Sequence, residues 1–383
     1  MDYTITNDDF KSSRDFYNWF LEKKPFDKEF DFKCSDNIKN LYLFLTYFIS
    51  SKDDIQKEVQ KYNDSLKNED NRFIKEAIDE FVISNDGGKY LRGVLSGLGY
   101  SAFGGRDNYY MPLAVALEIF QTSILIHDDI IDKSDKRRGI DTIPLRYKKK
   151  YHSIGDISDS MALCLGDLGF YLANNILVNN YSDFSNLPLL LNYYNEMAIK
   201  TCKGEILDVF LPFYEKNTPG LDNLEDTISL IYELKTAWYS VVSPFALGCI
   251  LGGASLEDLR SIEDALLNLG TAYQIKDDLL GIYGNEKVIG KGSSDISEFK
   301  QTILYSYTIR TAYKDDLLKY YGKDNAVSEV REIFDKCGAR EYANKIMEKL
   351  FDESSKKISF LKIDDKYKNI LLGFCEFLKV RGK

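Results

Sequence analysis

The feature that most constrains this chain is an apolar run that ends in a cluster of carboxylates. Leu113 to Ile126 is mostly apolar, and the overlapping stretch from Ile124 to Gly139 reads I-L-I-H-D-D-I-I-D-K-S-D-K-R-R-G. On a helix, Asp128 and Asp132 lie four residues apart and therefore share one face. Carboxylates so close repel one another unless cations lie among them. Because the clustered ligands are oxygens, the pattern favours Mg²⁺ or Mn²⁺.

A second acidic pair follows another apolar helical run far downstream. The stretch from Tyr273 to Gly281 reads Y-Q-I-K-D-D-L-L-G, and its acids are Asp277 and Asp278. Carboxylates in the last turns of a helix oppose its dipole, which is a further reason to expect cations. Two such clusters predict one site in which metal ions are bridged by a diphosphate. Basic residues that would hold phosphate oxygens are also present: Lys89, Arg92, Arg137, Arg138, Lys235, Lys291 and Lys300.

Several motifs, in one order along the chain, resemble those of the trans-prenyltransferases, the family of (E)-polyprenyl diphosphate synthases. The resemblance covers roughly residues 86–302. Its first elements are Gly87-Gly88-Lys89-Tyr90-Leu91-Arg92, similar to a G-G-K-x-x-R element, Asp128-Asp129-x-x-Asp132 with Arg137-Arg138-Gly139, similar to the first aspartate-rich motif, and Lys235-Thr236, similar to a K-T pair. The second motif and the loop after it are matched by Gln274, Asp277, Asp278, Lys291, Asp295, Lys300 and Thr302.

The resemblance implies a fold, a cofactor and an assembly. The fold would be an all-α, single-domain bundle of long helices around a central apolar cavity. Residues 1–33 would be an N-terminal extension, and residues 34–383 the catalytic domain. The cofactor would be Mg²⁺, as three ions when diphosphate is bound, with Mn²⁺ as an alternative. The assembly would be a homodimer.

The implied reaction is the head-to-tail condensation of isopentenyl diphosphate with an allylic diphosphate. Asp128, Asp132 and Asp277 would bind the metal ions. Asp129, Lys235 and Asp278 would complete the catalytic set. Isopentenyl diphosphate would be bound by Lys89, Arg92, Gln121 and Arg138, and the allylic diphosphate by Arg137, Lys235 and Thr236. Further substrate-binding residues would be Gln274, Lys291 and Lys300.

The chain departs from the family pattern at two places in its second half. Gly281 stands where the second motif usually ends in Asp, so Asp278 is expected to act indirectly, through water or through a neighbouring side chain. Phe299 replaces a glycine of the E-G-K-x-T element, although Lys300 is retained. Neither departure removes a residue that the proposed chemistry requires.

Product length is expected to depend on the side chains that stop the growing tail along the helix of the first cluster. Ser123, five residues before Asp128, is small where short-chain synthases commonly carry an aromatic residue. Ile124 follows it, and Phe120 is the next bulky residue upstream. These residues predict a product of C20 to C30. Phe120→Ala should lengthen the product, and Ser123→Phe should shorten it.

Composition supports a helical enzyme and argues against other classes. The 383 residues have 44% hydrophobic content, seven prolines and no sustained alternating pattern, so helical periodicity dominates. The net charge of −10 disfavours nucleic-acid binding. Six scattered cysteines and two histidines disfavour a disulfide framework and a zinc site.

The termini and the breaks along the chain give further expectations. The N-terminus has no leader pattern, and no run approaches ~18 apolar residues, so a cytoplasmic protein without a transmembrane segment is expected. Lys89 and Arg92 are expected to open one helix and share its face. Gly284 to Ser294 is interpreted as a mobile lid. The predicted helices are residues 8–23, 35–64, 68–83, 109–132, 156–179, 187–212, 224–251, 255–283, 303–321, 324–352 and 366–380.

Three other functions share part of this pattern. A class I terpene cyclase would carry the first Asp motif but would not need Lys89 and Arg92. A non-catalytic subunit of a heteromeric prenyltransferase generally loses the acidic or basic residues that this chain keeps. A helical metal-binding scaffold would explain the two acidic clusters but not the seven basic residues. Dependence of turnover on isopentenyl diphosphate separates the synthase from these alternatives.

Overall fold

The computed structural model describes residues 3–6, 8–25, 30–152, 157–218, 221–284, 294–323 and 325–382. Helices dominate these residues, so the prediction of an all-α fold is confirmed. The helices before residue 218 are α1 (Ser13–Lys23), α2 (Asp36–Leu66), α3 (Arg72–Asn85), α4 (Leu91–Ala102), α5 (Met111–Ile131), α6 (Ile143–Tyr151), α7 (Ile157–Asn180) and α8 (Leu187–Asn217).

The second half of the chain is also helical, with one long helix that changes type. That helix is α9 (Leu224–Ile231), then a π-helical stretch from Tyr232 to Val242 that we call the π segment, then α10 (Ser243–Leu251). The remaining helices are α11 (Leu256–Tyr283), α12 (Ser294–Ser297), α13 (Ile303–Thr308), α14 (Lys314–Tyr320), α15 (Val327–Cys337), α16 (Ala339–Ser359) and α17 (Asp365–Val380).

Two short strand pairs accompany the helices in the described residues. β1 (Tyr3–Thr6) pairs in parallel with β2 (Phe30–Lys33). β3 (Lys136–Arg137) pairs antiparallel with β4 (Ile140–Asp141), directly after α5. The second pair is a tight hairpin that turns Arg137 and Arg138 back toward the end of α5.

Several predicted helix bounds need correction. The helix expected from Asp8 begins at Ser13, because the Ser12 side chain accepts a hydrogen bond from the Asp15 N–H and caps it there. The predicted helix 303–321 is two short helices, α13 and α14. The predicted helix 324–352 is interrupted at Gly338, whose φ of 83° ends α15 before α16 begins. Ser255 and Asp258 form a capping box at the start of α11.

The chain forms two compact units. The first unit comprises residues 1–50, 197–242 and 254–383. In it, α11 packs against the π segment and α16, and α1 packs against α17. α11 buries Leu259, Ile262, Leu266 and Leu269 on one side, at the spacing of a helix with one apolar face. The described part of segment 1–33 contains α1 and the strands β1 and β2, and it belongs to this unit. The proposed domain boundary at residue 33 stays a prediction.

The second unit comprises residues 51–196 and 243–253. Its central element is α5, which packs against α3, α4, α6, α7 and α10. Because α5 is apolar on nearly all sides until its last turns, it is buried on nearly all sides. The acidic residues at its C-terminal end are thus carried by a largely buried helix.

Two helices are long and apolar enough to cross a membrane by length and composition alone. They are Ile157–Asn180 and the helix from Leu224 to Leu251. Polar residues interrupt both helices, so neither is an uninterrupted apolar run in the sequence. In the second helix, 78% of the most apolar window is buried inside the protein, as in the core helix of a globular unit. In the first helix this share is 39%.

Candidate functional site

The first acidic cluster lies at the C-terminal end of α5 and is bound by an arginine. Nη2 of Arg137 donates to Oδ2 of Asp128 at 2.8 Å, and Nε of Arg137 donates to Oδ1 of Asp129 at 2.7 Å. Asp132 is the C-cap residue of α5. The β3–β4 hairpin brings Arg137 to the cluster, which places a cation between the first two acids.

Electrostatics holds this ion pair together. Burial alone would lower the pKa of Arg137, but the charges of Asp129 and Asp128 outweigh it and raise the pKa of the guanidinium. The side chains of Asp128 and Asp129 are only 14% and 7% exposed, so each carboxylate needs a positive partner. The arrangement shows that the end of α5 is built to stabilise a cation.

Lys89 and Arg92 do not share a helix face, which corrects the sequence interpretation. α4 begins at Leu91, and Tyr90 precedes it in the left-handed conformation with φ of 56°. Lys89 therefore lies in the loop before α4, while Arg92 lies in the first turn. The direction of the Lys89 side chain is set by this loop instead of by helical periodicity.

A buried acid on α5 organises the basic residues of this region, and it was missed from the sequence. Oε1 of Glu118 accepts the N–H of Gly93 at 2.9 Å. Burial raises the pKa of Glu118, and the charges of Arg92 and Arg138 oppose that rise. Nη1 of Arg138 also donates to the carbonyl of Asp86 at 2.9 Å. A lone acid within the apolar run of α5 was the available signal.

The proposed substrate and chain-length residues of α5 differ in their surroundings. The acceptor oxygen of Gln121 is buried and has no hydrogen-bond partner among the described residues. Phe120 is buried and packs against the rings of Phe170 and Tyr194, with centroids 5.3 and 5.6 Å away. Gln121 thus keeps a polar atom for a ligand, whereas Phe120 is part of a ring cluster.

Ser123 and Ile124 follow on the same helix. Ser123 is fully buried, and its hydroxyl donates to the carbonyl of Ile119 at 3.0 Å. A Cβ at Gly169 of α7 would lie 2.1 Å from Oγ of Ser123, so the two helices meet closely at this point. Ile124 is half-buried. Ser123 therefore lies in the contact between α5 and α7.

The second acidic cluster lies at the end of α11, in the first unit, and its second acid is buried. Asp278 accepts hydrogen bonds from the hydroxyl of Tyr232 and, at 2.8 Å, from Nε2 of Gln274. Oγ1 of Thr236 donates to Oε1 of Gln274 at 2.6 Å. The Tyr232 hydroxyl in turn accepts the N–H of Ile303 at 3.0 Å. This chain of bonds joins the K-T pair to the second acidic motif.

The buried position strongly perturbs Asp278. Burial raises the pKa of Asp278 to about 8, and the nearby charge of Asp295 adds to the rise. Hydrogen bonds from Tyr232 and Gln274 oppose it. Asp278 makes these bonds inside the first unit, and its expected indirect role stays a prediction.

Asp277 carries a cation of its own. It forms an ion pair with Arg381, which follows α17 in the C-terminal tail. The Arg381 guanidinium also stacks over the ring of Tyr273, one helical turn before Asp277, with 4.1 Å between Cζ and the ring centroid. This contact was not assigned from the sequence, in which the two partners are 104 residues apart.

Lys235 lies in the π segment and is held by two acids of α8. Its Nζ is 2.5 Å from Oδ2 of Asp208 and 2.8 Å from Oε2 of Glu205. A Cβ at Gly204 would lie 2.3 Å from the Lys235 backbone nitrogen, so only glycine permits the approach of α8 to the π segment. Lys235 thus has two acidic partners, as a lysine in a largely apolar helix requires.

Lys300 and Asp295 lie near Gly281, the position at which the chain departs from the family's second motif. Nζ of Lys300 is 3.2 Å from Oε2 of Glu298 and 3.9 Å from Oδ1 of Asp295. A Cβ at Gly281 would lie 2.7 Å from Oδ2 of Asp295. The Asp295 carboxylate therefore occupies the space into which a side chain at position 281 would project.

Some predicted residues are not brought into one set by the structure. Lys291 lies outside the described residues, as does most of the predicted lid from Gly284 to Ser294. Among the residues that the structure describes, no group of three His, Cys, Asp or Glu side chains is arranged to hold a metal ion. His127 packs its ring edge against Gly166 and Phe170 instead of joining the acids.

Solved structures of similar shape define the class of fold. Geranylgeranyl pyrophosphate synthase from Corynebacterium glutamicum, solved with isoprenyl diphosphate and magnesium, has a TM-score of 0.79 and 22% identity, covering 87% of this chain and 98% of its own. Farnesyl diphosphate synthase from T. brucei, solved with a bisphosphonate, has a TM-score of 0.73 and 19% identity, covering 88% and 99%. The chain has the all-α isoprenoid synthase fold.

Sequence relatives define the family. The family model described as polyprenyl synthetase matches residues 71–337. A short chain isoprenyl diphosphate synthase of Methanothermobacter thermautotrophicus is 32% identical over 267 residues, covering 68% of this chain and 76% of the relative. A geranylgeranyl diphosphate synthase of Methanosarcina mazei is 26% identical over 299 residues, covering 76% and 85%. The chain therefore belongs to the polyprenyl synthetase family and is a trans-prenyltransferase.

Proposed function

We propose that the protein condenses isopentenyl diphosphate head to tail with an allylic diphosphate, giving a trans-polyprenyl diphosphate of C20 to C30. One observation carries the proposal. In each of the two acidic clusters a carboxylate is paired with an arginine, Asp128 with Arg137 and Asp277 with Arg381. The arginines stand where divalent cations would neutralise the same carboxylates.

The donor set fits magnesium. Asp128, Asp132 and Asp277 offer the carboxylate oxygens that this hard cation prefers, and the guanidinium groups on two of them show that positive charge is stabilised there. When bound, Mg²⁺, as three ions with diphosphate or replaced by Mn²⁺, neutralises charge that develops on the departing diphosphate. Binding and orientation of the two substrates depend on the protein's own side chains.

Basic side chains bind and orient the two substrates in this proposal. Lys89, Arg92 and Arg138 bind isopentenyl diphosphate, and Gln121 donates to it from its NH₂, in the amide orientation that places this group where the unpartnered oxygen now lies. Lys235 and Arg137 hold the allylic diphosphate, and Thr236 fixes Gln274 beside the second cluster. The further allylic ligands are Lys291 and Lys300.

The chemistry needs no protein base. The C1–O bond of the allylic diphosphate breaks, and the double bond of isopentenyl diphosphate attacks the resulting cation to form the new C–C bond. A proton then leaves for the departing diphosphate. The apolar residues of α5 exclude water, which would otherwise capture the cation.

The product range rests on α5, and the products named for the relatives, C15 to C25, overlap it only in part. Their names include farnesyl, geranylgeranyl and, for an Aeropyrum pernix enzyme 27% identical over 266 residues, geranylfarnesyl diphosphate synthase. Within this range Phe120 is the proposed floor, because it is the first bulky side chain of α5 upstream of Ser123. Because Ser123 is small, it would not block the growing tail at the position five residues before Asp128.

A single assay tests the function. The purified protein is incubated with Mg²⁺, isopentenyl diphosphate and one allylic primer at a time, from C5 to C20, and the products are sized by mass spectrometry. We expect elongation that ends at one length between C20 and C30. No consumption of isopentenyl diphosphate with any primer would refute the synthase. A hydrocarbon formed from an allylic diphosphate alone would indicate a cyclase.

We also propose that the active form is a homodimer. α8 exposes an apolar stripe whose members recur at seven-, four- and three-residue steps, so that they share one face. Charge is absent from these positions, and a second copy would cover them. Light scattering should give twice the chain mass, and Phe210→Glu should give the monomer. The stripe consists of Ile199, Ile206, Phe210 and Phe213.

The proposed location is the cytoplasm. The support is indirect: cysteines Cys164 and Cys202 are exposed and free, as in proteins of reducing compartments. Fractionation of cells that express the full chain should place it with cytoplasmic markers. Recovery in the membrane fraction would contradict the proposal and would direct attention to the apolar helix Ile157–Asn180.

A further inference from the structure

The segment that precedes the family match is folded against the last helix of the chain. The match begins at residue 71, whereas α1 lies far upstream of it and packs on α17. Oγ of Ser13 donates to Oε2 of Glu376 at 3.1 Å. The rings of Tyr17 and Phe377 meet edge to face, with centroids 5.9 Å apart. α1 therefore contacts the end of α17 through both a polar and an aromatic pair.

α1 is itself firmly anchored. Phe16 and Phe20 are fully buried, and the Phe20 ring lies 6.1 Å from that of Tyr42 on α2. Trp19 contacts Phe16 and the Phe30 ring of β2. Buried aromatic rings each contribute substantial apolar area, so α1 is a fixed element instead of a loose arm.

The contact of α1 reaches the second acidic cluster in two steps. Phe377, which Tyr17 touches, accepts the backbone N–H of Arg381 at 2.9 Å. The Arg381 side chain then pairs with Asp277 and stacks on Tyr273. Arg381 is only 3% exposed, although arginine is almost never buried to that extent unless it is paired.

Arg381 binds the same carboxylate that a divalent cation would bind in the second cluster. The guanidinium lies on Oδ1 of Asp277, and this carboxylate is the proposed metal ligand of the second cluster. The N-terminal segment thus holds Arg381 in place through its contacts with α17.

We propose that α1 holds Arg381 as a positioning residue on Asp277, so that the N-terminal segment sets the affinity of the second acidic cluster for a divalent cation. The inference rests on the proposed function in taking Asp277 as a metal ligand. In this arrangement the cation must displace the guanidinium from Oδ1 or share the carboxylate with it. Any change that releases Arg381 should therefore tighten cation binding.

The test measures Mn²⁺ binding to the full-length protein by electron paramagnetic resonance, without substrate. The background is Asp128→Asn/Asp132→Asn, so that the first cluster does not contribute. Arg381→Gln removes the competing charge and should tighten binding about tenfold, since a unit charge within hydrogen-bonding distance is lost. Arg340→Gln is the matched control, because Arg340 also stacks on a tyrosine, Tyr283.

Variants of α1 test the origin of the effect. Tyr17→Ala removes the ring that packs on Phe377 and should tighten Mn²⁺ binding about threefold, less than loss of the charge itself. It should also speed hydrogen exchange at the Arg381 amide, whose bond to Phe377 is no longer supported. Tyr17→Phe keeps the ring and should behave as the parent in both measurements. If Tyr17→Ala does not fold, Ser13→Ala replaces it, with a smaller expected change in the same direction.

The outcomes separate this inference from the proposed function. Mn²⁺ binding that is equally tight in the parent and in Arg381→Gln overturns the inference and leaves the metal site standing. Tightening in Arg381→Gln with no change in Tyr17→Ala, or in Ser13→Ala where that variant replaces it, overturns the role of the N-terminal segment. Absence of Mn²⁺ binding in every protein, including the one with an intact first cluster, overturns both the inference and the proposed metal site.

Discussion

Replacing Phe120 by alanine should lengthen the product by about one isoprene unit. Phe120 lies eight residues before Asp128, which is ~12 Å along the helix at 1.5 Å per residue. The next residue on the same face is Ala116, another four residues and ~6 Å upstream. That step is close to one helical turn, which is comparable to one isoprene unit. Because Ala116 is small, the tail should extend at least that far.

The same substitution has a cost to stability that the assay must separate from the effect on length. Phe120 is 3% exposed and contacts the rings of Phe170 and Tyr194, so its removal should lower the free energy of unfolding by ~3–5 kcal/mol. Phe334→Ala is the matched control, since Phe334 is fully buried in the other unit. It should cost a similar free energy and leave the product unchanged.

The measurement is the product distribution by mass spectrometry at a temperature where both variants remain folded. A shift of Phe120→Ala to longer products, with the control unchanged, supports Phe120 as the floor. An unchanged distribution in a folded Phe120→Ala protein would refute it. The complementary variant, Ser123→Phe, is less clean than its sequence suggests, because Ser123 is fully buried against Gly169 and overpacking there should itself cost ~1–3 kcal/mol.

Two further variants probe buried polar groups. Tyr232→Phe removes the hydroxyl that serves both Asp278 and the Ile303 N–H, and it should lower the free energy of unfolding by ~1–3 kcal/mol in urea titrations; an unchanged midpoint would contradict the role of Tyr232. Glu118→Gln should gain stability relative to the parent as pH rises above about 4.3, where the unfolded carboxyl ionises. Burial raises the pKa of Glu118 in the folded protein, although the charges of Arg92 and Arg138 oppose the rise. Ionisation of this carboxyl therefore favours unfolding of the parent, whereas the variant has no carboxyl at this position to ionise. A parallel pH dependence of the two unfolding free energies would refute this.

Features that depend on local periodicity were predictable from the sequence. The apolar stripe of α11, the capping box at Ser255 and the burial of α5 follow from the spacing of side chains along one element. The demand that Lys235 have a charge partner also followed, because a lysine within an apolar helix is costly when unpaired. Its two partners, Glu205 and Asp208, lie on α8.

Features that depend on distant parts of the chain were not predictable. The pairs of Tyr232 with Asp278 and Arg381 with Asp277 are 46 and 104 residues apart, and no local rule connects them. The left-handed Tyr90 is a further case, since a tyrosine rarely adopts that conformation and its sequence gives no sign of it. Because α4 begins only after the left-handed Tyr90, Lys89 lies outside the helix that the spacing of Lys89 and Arg92 suggested.

The arginine on the first cluster implies that cation and diphosphate binding assist each other. A divalent ion that takes Asp128 removes one of the two carboxylates that hold the half-buried guanidinium of Arg137, which leaves its charge only partly paired, with Asp129. A diphosphate supplies a second partner, so inorganic pyrophosphate should tighten Mn²⁺ binding, and by linkage Mn²⁺ should tighten pyrophosphate binding by the same factor. We expect a coupling of about 5- to 150-fold. In Arg137→Gln, Mn²⁺ alone should bind more tightly while the coupling shrinks to what direct metal–pyrophosphate contact provides. Equal coupling in the parent and in Arg137→Gln would show that Arg137 remains on its carboxylates when both ligands are bound.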